Sequence, residues 1–268
     1  MKKVIALVIA GIICLSAFGF AAPFSGTIQI VGSTSVQPLA EELAQAFMAK
    51  NKGVKVFVQG GGSGAGIKAA VDGTADIGSC SRELESAELQ TGIVETVIAR
   101  DGIAVIVSKS NSVNNLTTEQ LQKIYSGQIT NWKEVGGPDQ KIQVVNREAG
   151  SGTRGAFEEL LLKPAKLENT SNCLVQASTG AVQETVAVTK EAIGYVSLGF
   201  LDTKSVKAVT IDGIQATDKN VLAKTYKLQR PFLLLTKTKP AGLTKTFLDW
   251  ITGPQGQKIV AKDYIRIK

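Results

Sequence analysis

The sequence contains no histidine. That absence removes the Ser-His-Asp and Cys-His nucleophile systems and any histidine-bearing zinc site. Serine-rich loops in this chain therefore need an explanation other than hydrolysis, and neither a catalytic residue nor a metal or cofactor is expected. Cysteine is scarce, at three residues. Cys80 and Cys173 lie far apart and form no CxxC pair, so zinc and dithiol patterns are missing. They read as two buried free thiols, although export would permit a disulfide between them. No long Pro-rich, low-complexity or charge-block segment occurs, and no fixed-period repeat. A dense Lys/Arg stripe interleaved with aromatics is also absent, so nucleic acid is not expected as a partner.

What is present is ordinary globular composition, 44% hydrophobic and 20% charged over 268 residues, enough for two domains. The start of the chain differs from the rest. Lys2 and Lys3 precede an apolar run from Val4 to Phe20, followed by small residues at Gly19, Ala21 and Ala22. That is the layout of a secretory signal peptide, residues 1–21, cleaved after Ala21. A membrane anchor competes, because about 17 apolar residues is near the lower limit for a span. Cys14 follows Gly11-Ile12-Ile13, a poor match to a lipid-attachment site. The expected protein is exported, to the periplasm or the outer face of the cell. Loss of Lys2 and Lys3 would take its formal charge from +7 to +5, a balance that suits an anionic ligand.

Along the remaining chain, strand, loop and helix alternate. Thr27 to Val31, Val54 to Val58 and Ala75 to Gly78 read as short strands, the grammar of a parallel α/β layer. A helix is expected near Pro38, with Leu39, Leu43 and Phe47 on one face, and another over Ile67 to Val71. Val94 to Ser108 fits a strand pair or one crossing strand. Thr117 and Gln120 stand at capping-box spacing. A strand over Lys141 to Asn146 runs through a loop into a helix ending near Leu162. Further helices are expected over Ala181–Lys190, Leu243–Ile251 and Pro254–Ala261, with strands at Ile193–Leu198 and Phe232–Lys237. The parse is two α/β domains, one inserted into the other: residues 25–106 with 222–268, and residues 107–221.

Three strand-to-helix loops share one design: Gly32-Ser33-Thr34-Ser35, Gly62-Ser63-Gly64 and Gly150-Ser151-Gly152-Thr153. A helix N-terminus offers unpaired N–H groups and partial positive charge. Glycine admits close backbone approach, and hydroxyls add adjustable donors. Three such termini converging would surround a small tetrahedral anion, although each loop alone is also what an ordinary helix cap looks like. Gly150 to Gly155 formally matches GxGxxG, but Glu168, the acidic residue at the right distance, falls in a loop rather than at a strand end. Gly60 to Lys68 lacks the Lys-Ser/Thr step of a nucleotide-binding loop. Arg147, four residues before Ser151, could grip two oxygens of an anion or simply pair with Glu148. Arg82, at another strand exit, is a second candidate. Asp101 is the odd member, since a carboxylate in an anion site repels its ligand unless the ligand carries a proton to donate. Phosphate does near neutrality and sulfate does not, so an acceptor there would select phosphate. Asp101-Gly102 is equally the composition of a plain turn.

The segments Gly32 to Pro38, Gly60 to Gly64, Ile77 to Arg82, Asp101 to Val105, Tyr125 to Trp132, Asn146 to Arg154 and Ala192 to Val196 resemble, in order, the phosphate-binding proteins of ABC transporters, of the type II periplasmic-binding-protein superfamily. The resemblance implies an α/β, two-lobed periplasmic-binding-protein-like fold, each lobe a mixed sheet flanked by helices, with ligand in the interdomain cleft. It implies inorganic phosphate as ligand, a membrane ABC transporter permease as partner, a monomer, and no enzyme activity. Carried over by motif, Thr34, Ser35 and Ser63 donate from the first lobe, and Arg147, Ser151, Gly152 and Thr153 from the second. Ser81 stands where some members carry an aspartate that accepts the ligand's proton, and Asp101 is the substitute acceptor. The alternatives are a binding protein for another oxyanion, such as sulfate or molybdate, and an exported enzyme acting on phosphate esters.

Overall fold

The computed structural model describes residues 25–267, so the signal-peptide reading of residues 1–21, and Cys14, fall outside the described residues. The first layer is built as its sequence alternation dictates. Strand β1 (Ser25–Gly32) leads to helix α1 (Gln37–Lys50), which turns its apolar stripe of Leu39, Leu43 and Phe47 onto the sheet. Strand β2 (Gly53–Gly60) is followed by α2 (Ser63–Asp72), and β3 (Ile77–Cys80) by the short α3 (Ser86–Leu89). Helix α2 starts four residues earlier than its apolar pattern suggests, so Ser63 is its first residue. β1 pairs in parallel with both β2 and β3.

Val94 to Ser108 is a single continuous strand, β4. Its following neighbours are β5 (Asn115–Leu116), α4 (Thr118–Tyr125), β6 (Gln143–Arg147), α5 (Gly152–Phe157), β7 (Cys173–Gln176), α6 (Thr179–Val188) and β8 (Ala192–Ser197). Thr117 and Gln120 close the capping box at α4. The helix begun at Gly152 widens into a π turn over Glu158–Leu162, later than its start but still reaching the expected end. β9 (Val206–Ala208), β10 (Thr210–Ile211), α7 (Asp218–Leu222), β11 (Gln229–Thr236), α8 (Gly242–Thr252) and α9 (Pro254–Val260) complete the described chain.

Nine of these strands join one mixed sheet in the order β2-β1-β3-β11-β4-β8-β6-β7, with β9 also on β4. β4 is the bridge between its halves. Up to Gly102 it pairs antiparallel with β11, and from Ile103 it pairs with β8. The two halves are lobes with separate cores. Ile28, Leu43, Phe47, Ile98, Phe232 and Phe247 belong to one, and Ile103, Val105, Trp132, Phe157, Tyr195 and Tyr226 to the other. The change of core falls between Ala99 and Ile103 on β4 and between Leu228 and Phe232 where β11 begins. Two strands cross between the lobes, and the loops at the ends of β1, β2, β3 and β6 meet where they cross.

Candidate functional site

The first lobe supplies four of the expected residues. Beyond β1 the chain turns tightly: Gln37 N donates to Ser33 O (3.0 Å), and Ser33 Oγ accepts from the amides of Ser35 (3.2 Å) and Val36 (3.4 Å). Ser33 thus spends its hydroxyl on its own turn and leaves those of Thr34 and Ser35 to meet the other lobe. Gly32, at φ +144°, lies so near α2 that a Cβ there would come within 2.9 Å of Gly66 Cα. Ser63, at the start of α2, accepts from the Ser81 amide (3.1 Å), with the two hydroxyls 3.4 Å apart. Ser35, Ser63 and Ser81 are fully buried.

The second lobe faces them. Arg147 ends β6, buried despite its charge. Both readings of it hold together. Its Nε and Nη2 donate to the Glu148 carboxylate, each at 2.9 Å, while Nη1 reaches Thr179 Oγ1 and Nη2 reaches Thr34 Oγ1, each at 3.2 Å. Ser151 caps α5, its Oγ accepting from Arg154 N (3.2 Å). Gly152 follows so close to the first lobe that a Cβ would stand 2.7 Å from Ser81 Oγ. Ser35 Oγ lies 2.8 Å from both Thr153 Oγ1 and Thr179 Oγ1, and Gly64 N donates to Gly150 O (2.9 Å). Thr34, Ser35, Ser63, Ser81, Arg147, Ser151, Gly152 and Thr153 are thus gathered at one junction between the lobes, in a closed arrangement.

Asp101 needs correction as a ligand-facing acceptor. It sits on β4 directly opposite Arg230 of β11, fully buried, and its four acceptor positions are filled. Oδ2 accepts from Arg230 Nε (3.1 Å) and Nη2 (2.9 Å), and Oδ1 from Ser197 Oγ (2.9 Å) and Gly199 N (3.4 Å). It is one guanidinium removed from the hydroxyl cluster. Burial pushes the Asp101 carboxyl up and the Arg230 guanidinium down from their ordinary values, and the contact between them opposes both shifts. Arg82 is also elsewhere engaged, holding both oxygens of Glu88 at 2.7 Å.

Two members of the cluster escaped the sequence reading. Thr179 opens α6 within Ser178-Thr179-Gly180, the same glycine-plus-hydroxyl pattern after a strand, so a fourth loop of the kind already recognised was there to be found. Arg230 carried no such signal. It stands inside a β-strand, and only the register of β11 on β4 brings its Nη1 to Thr153 Oγ1 (2.7 Å) and to the carbonyl and hydroxyl of Ser81 (3.1 and 3.3 Å).

The chemistry of this junction is donation. It presents hydroxyls, helix-start amides and two guanidinium groups. Cys80 lies nearby, but burial raises its thiol above the ordinary value, which disfavours the reactive thiolate. Cys80 and Cys173 are both free, as expected, but only Cys80 is buried; Cys173 is half-buried. Among the described residues no cluster of metal-ligating side chains occurs, and no helix is long and apolar enough to cross a membrane.

Residues 21–255 match the model of a PBP superfamily domain. The chain is 35% identical to the phosphate-binding protein PstS of Bacillus subtilis, over 89% of its own length and 79% of that protein's. It is 32% identical to the PstS of Borreliella burgdorferi over 87% of each chain. Among solved structures, a putative phosphate ABC transporter substrate-binding protein with bound phosphate from Clostridium perfringens superposes with a TM-score of 0.86. That match has 45% identity and covers 91% of this chain and 100% of the other. An ABC-type phosphate transport receptor from Vibrio cholerae gives a TM-score of 0.74 at 39% identity, covering 90% of this chain and 100% of the other.

Proposed function

This chain belongs to the PBP superfamily and, within it, to the PstS phosphate-binding proteins, and from that premise we propose that it captures inorganic phosphate between its lobes and delivers it to an ABC transporter permease. The observation that carries the reading is the convergence of Thr34, Ser35, Ser63 and Ser81 from one lobe on Arg147, Thr153 and Thr179 from the other. Hydroxyls and amides aimed at one point suit a tetrahedral oxyanion, and a guanidinium adds charge-assisted donors. In this reading Gly152 contributes its amide at the start of α5 and Ser151 its hydroxyl, since the Ser151 amide donates to Glu148 O (3.0 Å). Closure is driven by contacts that exist only when the lobes meet, such as Ser35 on Thr153.

The protein acts as an exported monomer on the outer side of the membrane and performs no chemistry on its ligand. The lack of a histidine, of a metal cluster among the described residues and of an activated thiol supports that. The lobes are residues 25–106 with 222–268, and residues 107–221. The separation of the two cores supports a division of this kind, although Ile103–Ile106, Tyr226, Leu228 and Ile265, inside the first range, pack in the core of the second. Because the oxygens of Asp101 are engaged, it does not select phosphate over sulfate by accepting the ligand's proton.

Isothermal calorimetry tests the reading. The protein is expected to take up one phosphate per chain and sulfate far more weakly. Arg147→Ala should weaken phosphate binding by on the order of 100-fold, the scale of two hydrogen bonds to a charged group. No phosphate heat with wild type, equal affinity for sulfate, or an unchanged Arg147→Ala would each contradict it.

A further inference from the structure

We propose that Arg230 is a second guanidinium of the anion site, presented to the ligand from the strand crossing by its cross-strand partner Asp101. This rests on reading the hydroxyl cluster as a phosphate site, and it adds a residue outside the motifs that carry the family likeness.

Two arginine–carboxylate pairs at the cluster are alike. Arg147 spends Nε and Nη2 on the Glu148 carboxylate and turns Nη1 to Thr179. Arg230 spends Nε and Nη2 on Asp101 and turns Nη1 to Thr153 and Ser81. Each guanidinium is pinned by one carboxylate on two nitrogens and leaves the third nitrogen on the cluster. The two approach it from different elements, Arg147 from the end of β6 and Arg230 from β11.

Stability does not account for Arg230. Removing two charges from water costs several kcal/mol per ion, and a well-packed apolar pair often serves a core as well or better. Its ion pair has both side chains almost wholly buried, at 1% exposure each. An anion in the cluster gives that burial a use, because a guanidinium in a dry site attracts it far more strongly than one in water.

Hydroxyl chemistry points the same way. A guanidinium only donates. Thr153 Oγ1 and Ser81 Oγ must therefore accept from Arg230, just as Thr179 Oγ1 and Thr34 Oγ1 accept from Arg147. Their hydroxyl hydrogens lie among neighbouring hydroxyls, Thr153 and Thr179 each 2.8 Å from Ser35 Oγ, and a bound oxygen would take them in exchange for those contacts. The two arginines set the cluster as donors, and Arg230 Nη1, in contact with two of its hydroxyls, is itself within reach of the anion.

Calorimetric titration with inorganic phosphate tests this. The double variant Arg230→Gln with Asp101→Asn removes both charges together and leaves no buried ion unpaired. Folded by its thermal melt, it is expected to bind phosphate on the order of 100-fold more weakly than wild type. Arg230→Lys keeps the charge, but its ammonium cannot span Asp101 and the hydroxyls together, and it is expected to fall in between, about tenfold down. A folded double variant within about threefold of wild type overturns the inference. If the double variant does not fold, Arg230→Lys decides, and wild-type affinity in that variant overturns it. A wild-type protein that binds no phosphate would instead overturn the functional reading beneath it.

Discussion

Gly152 shows how a residue at this junction is specified by what it must not carry. A Cβ there would overlap Ser63 Oγ and stand 2.7 Å from Ser81 Oγ, so a side chain at 152 would wedge between the closed lobes. Gly152→Ala is accordingly expected to leave the unfolding midpoint close to wild type while cutting phosphate affinity by at least about tenfold, a penalty on the closed state alone. Thermal melts and calorimetry on the same sample check it, and full affinity would show that the gap tolerates a methyl. The sequence made such residues legible because glycines and hydroxyls after a strand advertise donors. Thr179 carried that signature and was still missed. Asp101 and Arg230 carried none: a carboxylate and a guanidinium 129 positions apart become partners only through strand register, which no local pattern encodes. The same pairing is why Asp101 could not be the free acceptor that its place in the sequence suggested.

Among the elements, α2 presses on the sheet through glycines. A Cβ at Gly66 would lie 2.5 Å from Ser79 O and 2.7 Å from Val31 O, backbone atoms of β3 and β1 that cannot rotate away. Gly66→Ala is therefore expected to destabilise the fold despite the gain in helix propensity. Overpacking of this kind typically costs about 1–3 kcal/mol, more than the roughly 1 kcal/mol returned by alanine in a helix. Denaturant unfolding measures it, and a stabilised variant would contradict the packing account. Strands and helices were mostly legible from alternation and apolar spacing. Their edges were less so: α2 reaches back to Ser63 because its first turn carries serine and glycine, which periodicity does not count. Val94–Ser108 was ambiguous because Asp101-Gly102 looks like a turn, whereas Asp101 is buried against Arg230 within β4, which continues past it.

At the scale of the whole molecule, the two-lobed plan follows from where the strands cross. β4 and β11 pass between two separate cores, and the loops at the crossing supply the donors from both sides. A cleft built this way can open and close about its strands without disturbing either core. Two lobes were legible in the order of the motifs, but the crossing was not, since β4 and β11 have no linker composition to mark it. The most direct test of the account is a crystal structure of the protein grown with phosphate. It predicts one tetrahedral density between Thr34, Ser63, the Ser151 hydroxyl and the Gly152 amide, touched by Arg147 and by Nη1 of Arg230. Phosphate bound elsewhere, or a cluster that stays free of it at saturating concentration, would contradict the account.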